Sequence, residues 1–312
     1  MTLRPAATVS IIGSGVVAER LRRIASDPHR LVGADPAATR RAQIAVLATA
    51  EPHVTRAAEL LADGIHVVST SGSVDDVRAL LDLDDAARDS GVALVVGAAV
   101  SPGLSGLLAR RLAGHLASCQ ELHVALHGTS GPSCARAHHD ALGGWAVGWH
   151  DDHWIERPAG SGRELCWFPE PVGARDCYRG AMPDPVLLHR SFPDVERISA
   201  RVSATRRDRF TARLPMLSPP HREGGIGALR VEARGRDADG ARVTLIMGIA
   251  ELIGTAAAAV ASAFVDHLAA SPALAGVVTS SDGDLPTQQL LNTAARGGVR
   301  LQSFTGLVSA AV

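Results

Sequence analysis

Short apolar runs alternate with amphipathic stretches through the first third of the chain. Thr8–Ile12 is β-branched and apolar and stops at Gly13, the pattern of a buried strand. Leu31–Val32, Ile44–Leu47, His66–Val68 and Val92–Val96 repeat that pattern. Between them the helical period takes over. Val54, Ala57, Ala58 and Leu61 share one face, and Leu104, Leu107, Leu108, Leu112 and Leu116 share another. Ser73 followed by Asp76 reads as a helix start of the capping-box kind. Apolar strands alternating with helices predict a doubly wound parallel sheet covered on both faces.

After residue 120 the pattern changes. Glu121–His127 and Ile198–Ala204 alternate apolar and polar positions, as half-exposed strands do. Ala228–Ala233 and Val243–Ile249 are joined through Asp237-Ala-Asp239-Gly240, a hairpin signal. Residues 155–195 are rich in Pro and Gly and carry no readable element. The second part therefore reads as an α+β domain on an open antiparallel sheet. The division is 1–120 and 121–312, with the C-terminal helices packing back on the first domain.

The turn after the first strand carries the chemistry. Gly13-Ser14-Gly15-Val16-Val17-Ala18 leaves a strand and enters a helix, and Asp35 lies 20 residues beyond Gly15. Gly13 permits the tight turn, Gly15 lets a pyrophosphate approach the backbone, and Ala18 keeps helix and strand close. The helix N-terminus then faces the phosphates. This context makes the first domain a Rossmann dinucleotide-binding unit. Asp35 can hydrogen-bond both ribose hydroxyls, which favours NAD, whereas Arg40 and Arg41 suit the extra phosphate of NADP. Ligands of such sheets sit at the carboxyl ends of the strands. That adds Thr49, Ala50 and Glu51 after the third strand, Ser69 and Thr70 after the fourth, and Gly97 after the fifth.

Composition narrows the classes. Apolar residues make up 46% of the 312, enough for a real core. The 31 basic residues nearly balance 32 acidic ones, which argues against a nucleic-acid surface. Every basic residue is Arg, so no lysine amine can form a Schiff base. Four cysteines without a CxxC pair indicate neither a zinc knuckle nor a disulfide framework. Met1–Ala7 holds no apolar leader, and the apolar run Ala256–Val265 is too short to span a bilayer. The expectation is a cytoplasmic protein with no membrane partner.

The stretch VLATAEPHVTRAAELLADGIHVVSTSGSVDD and the segment Gly97-x-x-x-Ser-Pro102-Gly103-Leu104 resemble the cofactor half of saccharopine dehydrogenase-like oxidoreductases. They are also similar to the homoserine, diaminopimelate and dihydrodipicolinate group. The tail GVVTSSDGDLPTQQLLNTAARGGVRL is similar to the end of such chains. The resemblance implies a second domain that binds substrate and dimerises. It implies hydride transfer at an amino, imino or keto carbon next to a carboxylate, and it puts Gly97 and Pro102 near the nicotinamide.

In the second part, the segment from Gly128 to Asp140 is the leading substrate site. Pro132 can open a helix after Ser130-Gly131, whose free amides attract a carboxylate, with Arg136 as a bidentate partner. His138 and His139 are candidates for the proton that accompanies hydride transfer. They point about 100° apart on a helix, so at most one faces a pocket squarely. The His pair is also similar to the dihydrodipicolinate reductase group, although the lysine that accompanies it there has no counterpart here. Two alternatives stand beside this reading. Cys134 near a helix start can be a thiolate nucleophile for a semialdehyde dehydrogenase, or the chain can be a non-catalytic NAD(P)-binding regulator. Seven of thirteen His lie between His115 and His153, and all four Trp between residues 145 and 167. This concentration marks a pocket wall or a homodimer interface. His150 and His153, on opposite faces of one strand, predict no metal site.

Overall fold

The computed structural model of the chain describes residues 6–216 and 223–303. Strands β1 (Thr8–Ile12), β2 (Arg30–Val32), β3 (Ile44–Leu47), β4 (His66–Ser69) and β5 (Ala93–Val96) pair in parallel. They alternate with helices α1 (Val16–Ala25), α2 (Pro36–Thr39), α3 (Val54–Ala62), α4 (Val74–Leu81), α5 (Asp84–Asp89) and α6 (Leu104–Ala113). Every residue of β3, β4 and β5 is buried. Helices cover both faces, so these strands read as unbroken apolar runs rather than alternating ones.

The expected start of α4 is present, with a difference. Ser73 Oγ accepts from Asp76 N at 3.5 Å. The Asp76 carboxylate does not return to Ser73. It accepts from His53 N at 2.9 Å and Val54 N at 3.1 Å, so it caps α3 instead. One buried acid thus fixes the connection between β3 and α3.

The second part runs β6 (Ser118–His127), α7 (Pro132–Gly143), β7 (Trp145–His150), β8 (His153–Pro158), β9 (Glu164–Trp167), β10 (Ala174–Arg179), α8 (Asp184–Ser191), β11 (Arg197–Ser203), α9 (Arg206–Thr211), β12 (Ile226–Arg236) and β13 (Arg242–Leu252). Its strands form a sheet in the order β15-β13-β12-β6-β11-β10-β9, with β7 and β8 on a side branch and β15 supplied by Gln302–Ser303. Two features depart from the sequence reading. The sheet is mixed, because β6 and β11 run parallel from Glu121↔Arg197 to Leu126↔Val202. The long excursion between them allows this, since parallel neighbours need a crossover rather than a hairpin. Residues 155–195 are also not irregular. Pro169, Pro171 and Gly173 sit in the turn between β9 and β10, leaving both strands intact.

The tail returns to the first sheet. Helix α10 (Ile253–Ala270) packs against α1 and against α11 (Thr287–Arg296), and 72% of it is buried. It is the one described helix long and apolar enough to cross a membrane, and that apolar surface is consumed by packing inside the protein. Strand β14 (Gly276–Thr279) then pairs in parallel with β5, completing the order β14-β5-β4-β3-β1-β2. A boundary at residue 120 leaves this sixth strand on the far side of the cut from its own sheet.

Candidate functional site: a cleft at the carboxyl edge of the parallel sheet

A cavity of about 660 Å³ opens between the two sheets. One wall is built by the carboxyl ends of the parallel strands. Gly13 to Val17 follow β1, Ala48 to Glu51 follow β3, Thr70 and Gly72 follow β4, and Ala99 to Ser101 follow β5. The opposite wall comes from the second part and from α10. It includes Leu126, Ser130 to Cys134 at the entry to α7, His138 one turn further on, Ala181 to Pro183, Val202 and Ile253.

Two glycines act differently here. Gly13 has φ +140°, and a Cβ there would lie 2.2 Å from the Ala48 carbonyl oxygen. Only glycine makes this turn between β1 and β3. Gly15 has φ −81°, and nothing lies within 4 Å of its absent Cβ. Its missing side chain leaves open space in front of α1, whose first amides receive no side-chain cap. Unpaired N–H groups at a positive helix end beside an open crevice suit a pyrophosphate, so these residues fit a dinucleotide. Arg22 holds the turn from behind, donating to the Ile11 oxygen at 2.9 Å and the Gly13 oxygen at 2.6 Å.

Of the other sequence candidates, Glu51 and Thr70 lie in this wall, whereas Ser69, Gly97, Pro102, Asp35, Arg40 and Arg41 do not line the cavity. Thr70 Oγ1 donates to the Leu47 oxygen at 2.9 Å, and Glu51 Oε1 accepts from Gly72 N at 2.9 Å, so these loops brace each other within the wall. Ser69 is not in it. Its buried hydroxyl pairs with His53 Nδ1 at 2.9 Å and accepts from Ser71 N at 3.2 Å. Gly97 and Pro102 also lie outside, packed on each other beneath a turn whose tip, Ala99 to Ser101, faces the cavity. Asp35 follows β2 and caps α2, accepting from Ala38 N at 2.9 Å. Arg40 pairs with Asp63 at 3.5 Å, and Arg41 is exposed.

Ser130 and Gly131 just before helix α7, and Cys134 and His138 on it, face the cavity. Pro132 is the first residue of the helix, and its N-terminus has no side-chain cap. Arg136 is exposed and absent from the wall, because it sits half a turn from His138. The two histidines separate as their spacing requires. His138 Nε2 donates to the Ser203 oxygen at 3.0 Å, whereas the ring of His139 turns out of the wall to the Leu214 oxygen at 2.9 Å. Burial pushes the His138 pKa down, against a smaller upward pull from the Ser203 carbonyl. The neutral ring is then the Nε2–H tautomer, with its lone pair on Nδ1.

The tryptophans do not form a pocket wall. Trp149 stacks on His189 with ring centroids 3.8 Å apart, and Trp145 and Trp167 are 62% and 63% exposed. His150 and His153 face each other across the β7–β8 hairpin rather than along one strand. Among the described residues no group of three or more His, Cys, Asp or Glu is placed to hold a metal ion.

Sequence reasoning missed Ser101 and Asp184. Ser101 lines the cavity, and its hydroxyl donates to Asp184 Oδ2 at 2.7 Å. Ser105 Oγ donates to Asp184 Oδ1 at 2.5 Å. Asp184 is wholly buried at the start of α8, and burial raises its pKa while the two hydroxyls pull it down. An Asp-Pro at a helix start reads as an ordinary cap, so nothing in the sequence marked it.

A Rossmann sheet, a mixed-sheet second domain and a cleft between them at the strands' carboxyl edge define the fold of NAD(P)-dependent dehydrogenases. No protein-family model matches the chain, and no curated protein matches its sequence. Solved structures do match. The apo saccharopine dehydrogenase (L-Glu forming) of Saccharomyces cerevisiae aligns with TM-score 0.67 at 12% identity, over 96% of this chain and 100% of that one. A meso-DAP dehydrogenase mutant of Clostridium tetani, crystallised with DAP, aligns with TM-score 0.50 at 13% identity, over 91% and 95% of the two chains. At such identities the likeness establishes the fold.

Proposed function

We propose that the chain is an NAD(P)-dependent oxidoreductase that moves a hydride to or from an amino-, imino- or keto-acid carbon. The observation that carries this reading is the open crevice at Gly15 in front of the uncapped α1 N-terminus, in a cavity that His138 also lines. A nicotinamide cofactor, when bound, supplies the hydride chemistry. The glycine turn and the amides of α1 hold its phosphates, and Thr49 to Glu51 and Thr70 flank it. NAD is the favoured form. Asp35 keeps Oδ2 free of the bond that caps α2, and Arg40 is engaged by Asp63.

On the other wall, the amides of Gly131, Ser133 and Cys134 at the start of α7 receive a substrate carboxylate. Neutral His138 accepts a proton on Nδ1 when the substrate is oxidised and returns it in reduction. The Ser203 carbonyl fixes the tautomer that makes this possible. The same reading includes a homodimer, supported by the exposed Trp145, Leu165 and Trp167, and sedimentation velocity checks it.

Turnover of NAD(P)H with keto acids plus ammonia, and of NAD(P)⁺ with amino acids, tests the reading. Turnover in either direction supports it. Binding of cofactor without any turnover supports a non-catalytic NAD(P)-binding protein instead.

A further inference from the structure

The half of the cavity supplied by the second part lacks cationic side chains among the described residues. Beyond α7's first turn its wall includes Leu126, Ala137, Ala141, Met182 and Val202, with His138 as the one ionisable group there. Leu126, Ala141, Met182 and Val202 are half-buried or buried. None of these five belongs to the crevice at β1, β3 and β4, so this apolar surface is left for the substrate. Two arginines near α7 and α1 do not line the cavity. Arg136 is exposed outside the cavity. Arg20 lies behind the wall beside Val16 and Gly254; its Nη2 is ion-paired with Glu223, its Nη1 is buried without a hydrogen-bond partner, and neither lines the cavity. His138 is held neutral by burial. The remaining charged lining residues, Glu19 and Glu51, are anionic and lie on the cofactor side.

We propose that the substrate is a monocarboxylate whose remaining body is uncharged and apolar, such as a branched-chain 2-oxo or 2-amino acid, and not a dicarboxylate. This rests on the oxidoreductase reading above, because it takes one carboxylate to be held at the start of α7. A carboxylate moved from water into such a wall needs a cation or several donors to replace its hydration. Leu126, Ala137, Ala141, Met182 and Val202 offer neither. They match the shape and polarity of an aliphatic side chain, and discrimination comes from the charge that the wall refuses.

The test is a calorimetric titration of the protein saturated with NADH, using α-ketoisocaproate and α-ketoglutarate as probes. The expected result is binding of α-ketoisocaproate at least about 100-fold tighter than α-ketoglutarate, the scale of leaving one charge unpaired. Ala137→Arg, at an exposed position on the cavity rim, should narrow that gap by at least about tenfold by supplying the missing cation. Equal or tighter binding of α-ketoglutarate by the unaltered protein overturns the proposal and leaves the oxidoreductase reading standing, as does failure of both keto acids to bind the NADH complex. Failure of NADH itself to bind removes both.

Discussion

Ser101 on the turn after β5 and Asp184 at the start of α8 are joined by a hydrogen bond of 2.7 Å that ties the parallel-sheet wall of the cleft to the opposite wall. Asp184 also accepts from Ser105, so one buried carboxyl satisfies two hydroxyls. Asp184→Ala strands both, at about 1–3 kcal/mol for each buried unsatisfied group. Urea unfolding should show a loss of about 2–4 kcal/mol on that basis.

Asp184→Asn carries a pH signature. Burial raises the pKa of Asp184 above its ordinary 3.8, so the folded state favours the neutral acid. The stability it contributes is complete below that ordinary value and is lost as pH rises through the raised one. The asparagine variant does not titrate. Its deficit relative to the unaltered protein should therefore be largest at low pH and shrink as pH rises through that window. Urea midpoints across the acid range check it, and a pH-independent deficit would contradict it.

Gly13 and Gly15 should separate architecture from binding. Gly13→Ala drives a Cβ into the Ala48 carbonyl at a positive φ, and should cost about 1–3 kcal/mol in thermal or urea unfolding. Gly15→Ser meets no atom within 4 Å and keeps a good helix-capping residue, so stability should change by about 0.5 kcal/mol or less. Cofactor affinity should nonetheless fall at least about tenfold, because the new side chain occupies the space left for the pyrophosphate.

His138→Gln should lower kcat by about 100-fold or more, the usual contribution of a positioned proton carrier. His139→Gln should leave kcat within about threefold, since its ring is turned to Leu214 away from the cleft. Cys134→Ala should retain turnover, whereas its loss would favour a thiolate mechanism. The His138 pKa is held below its ordinary 6.5, so the acid limb of the oxidation profile should fall below that value and vanish in His138→Gln.

Six imidazoles should make the fold acid-sensitive. Burial lowers the pKa of His66, His127, His138, His189 and His267, and of His123 despite its Glu121 partner. A group whose folded pKa is depressed contributes stability that is complete above its unfolded value and lost as pH falls through the folded one. Unfolding midpoints should therefore decline as pH drops below about 6.5.

The strand–helix alternation of the first five strands was legible because each strand is covered on both faces and so reads as an apolar run. The glycine turn was legible because its backbone demands are local. Strand β14 was not, apart from a family resemblance, since four residues near the C-terminus pair with a strand some 180 residues earlier. The α7 histidines show the same boundary. Their angular separation follows from helix geometry, but the carbonyls of Ser203 and Leu214 decide which one meets the cleft. Residue type alone makes Arg136 a pocket candidate, and the clustering of the tryptophans suits a pocket wall or a subunit interface alike. Helix phase and an edge strand place Arg136 and Trp167 in solvent.

The central claim is that the crevice in front of α1 takes a nicotinamide dinucleotide. A thermal-shift titration with NAD⁺, NADH, NADP⁺ and NADPH, run on the unaltered protein and on Gly15→Ser, tests it most directly. The expected result is stabilisation of the unaltered protein by at least one pair, about 2.7 kcal/mol at a hundredfold excess over Kd, with the effect weakened in Gly15→Ser. No shift with any of the four, or an equal shift in both proteins, would contradict it.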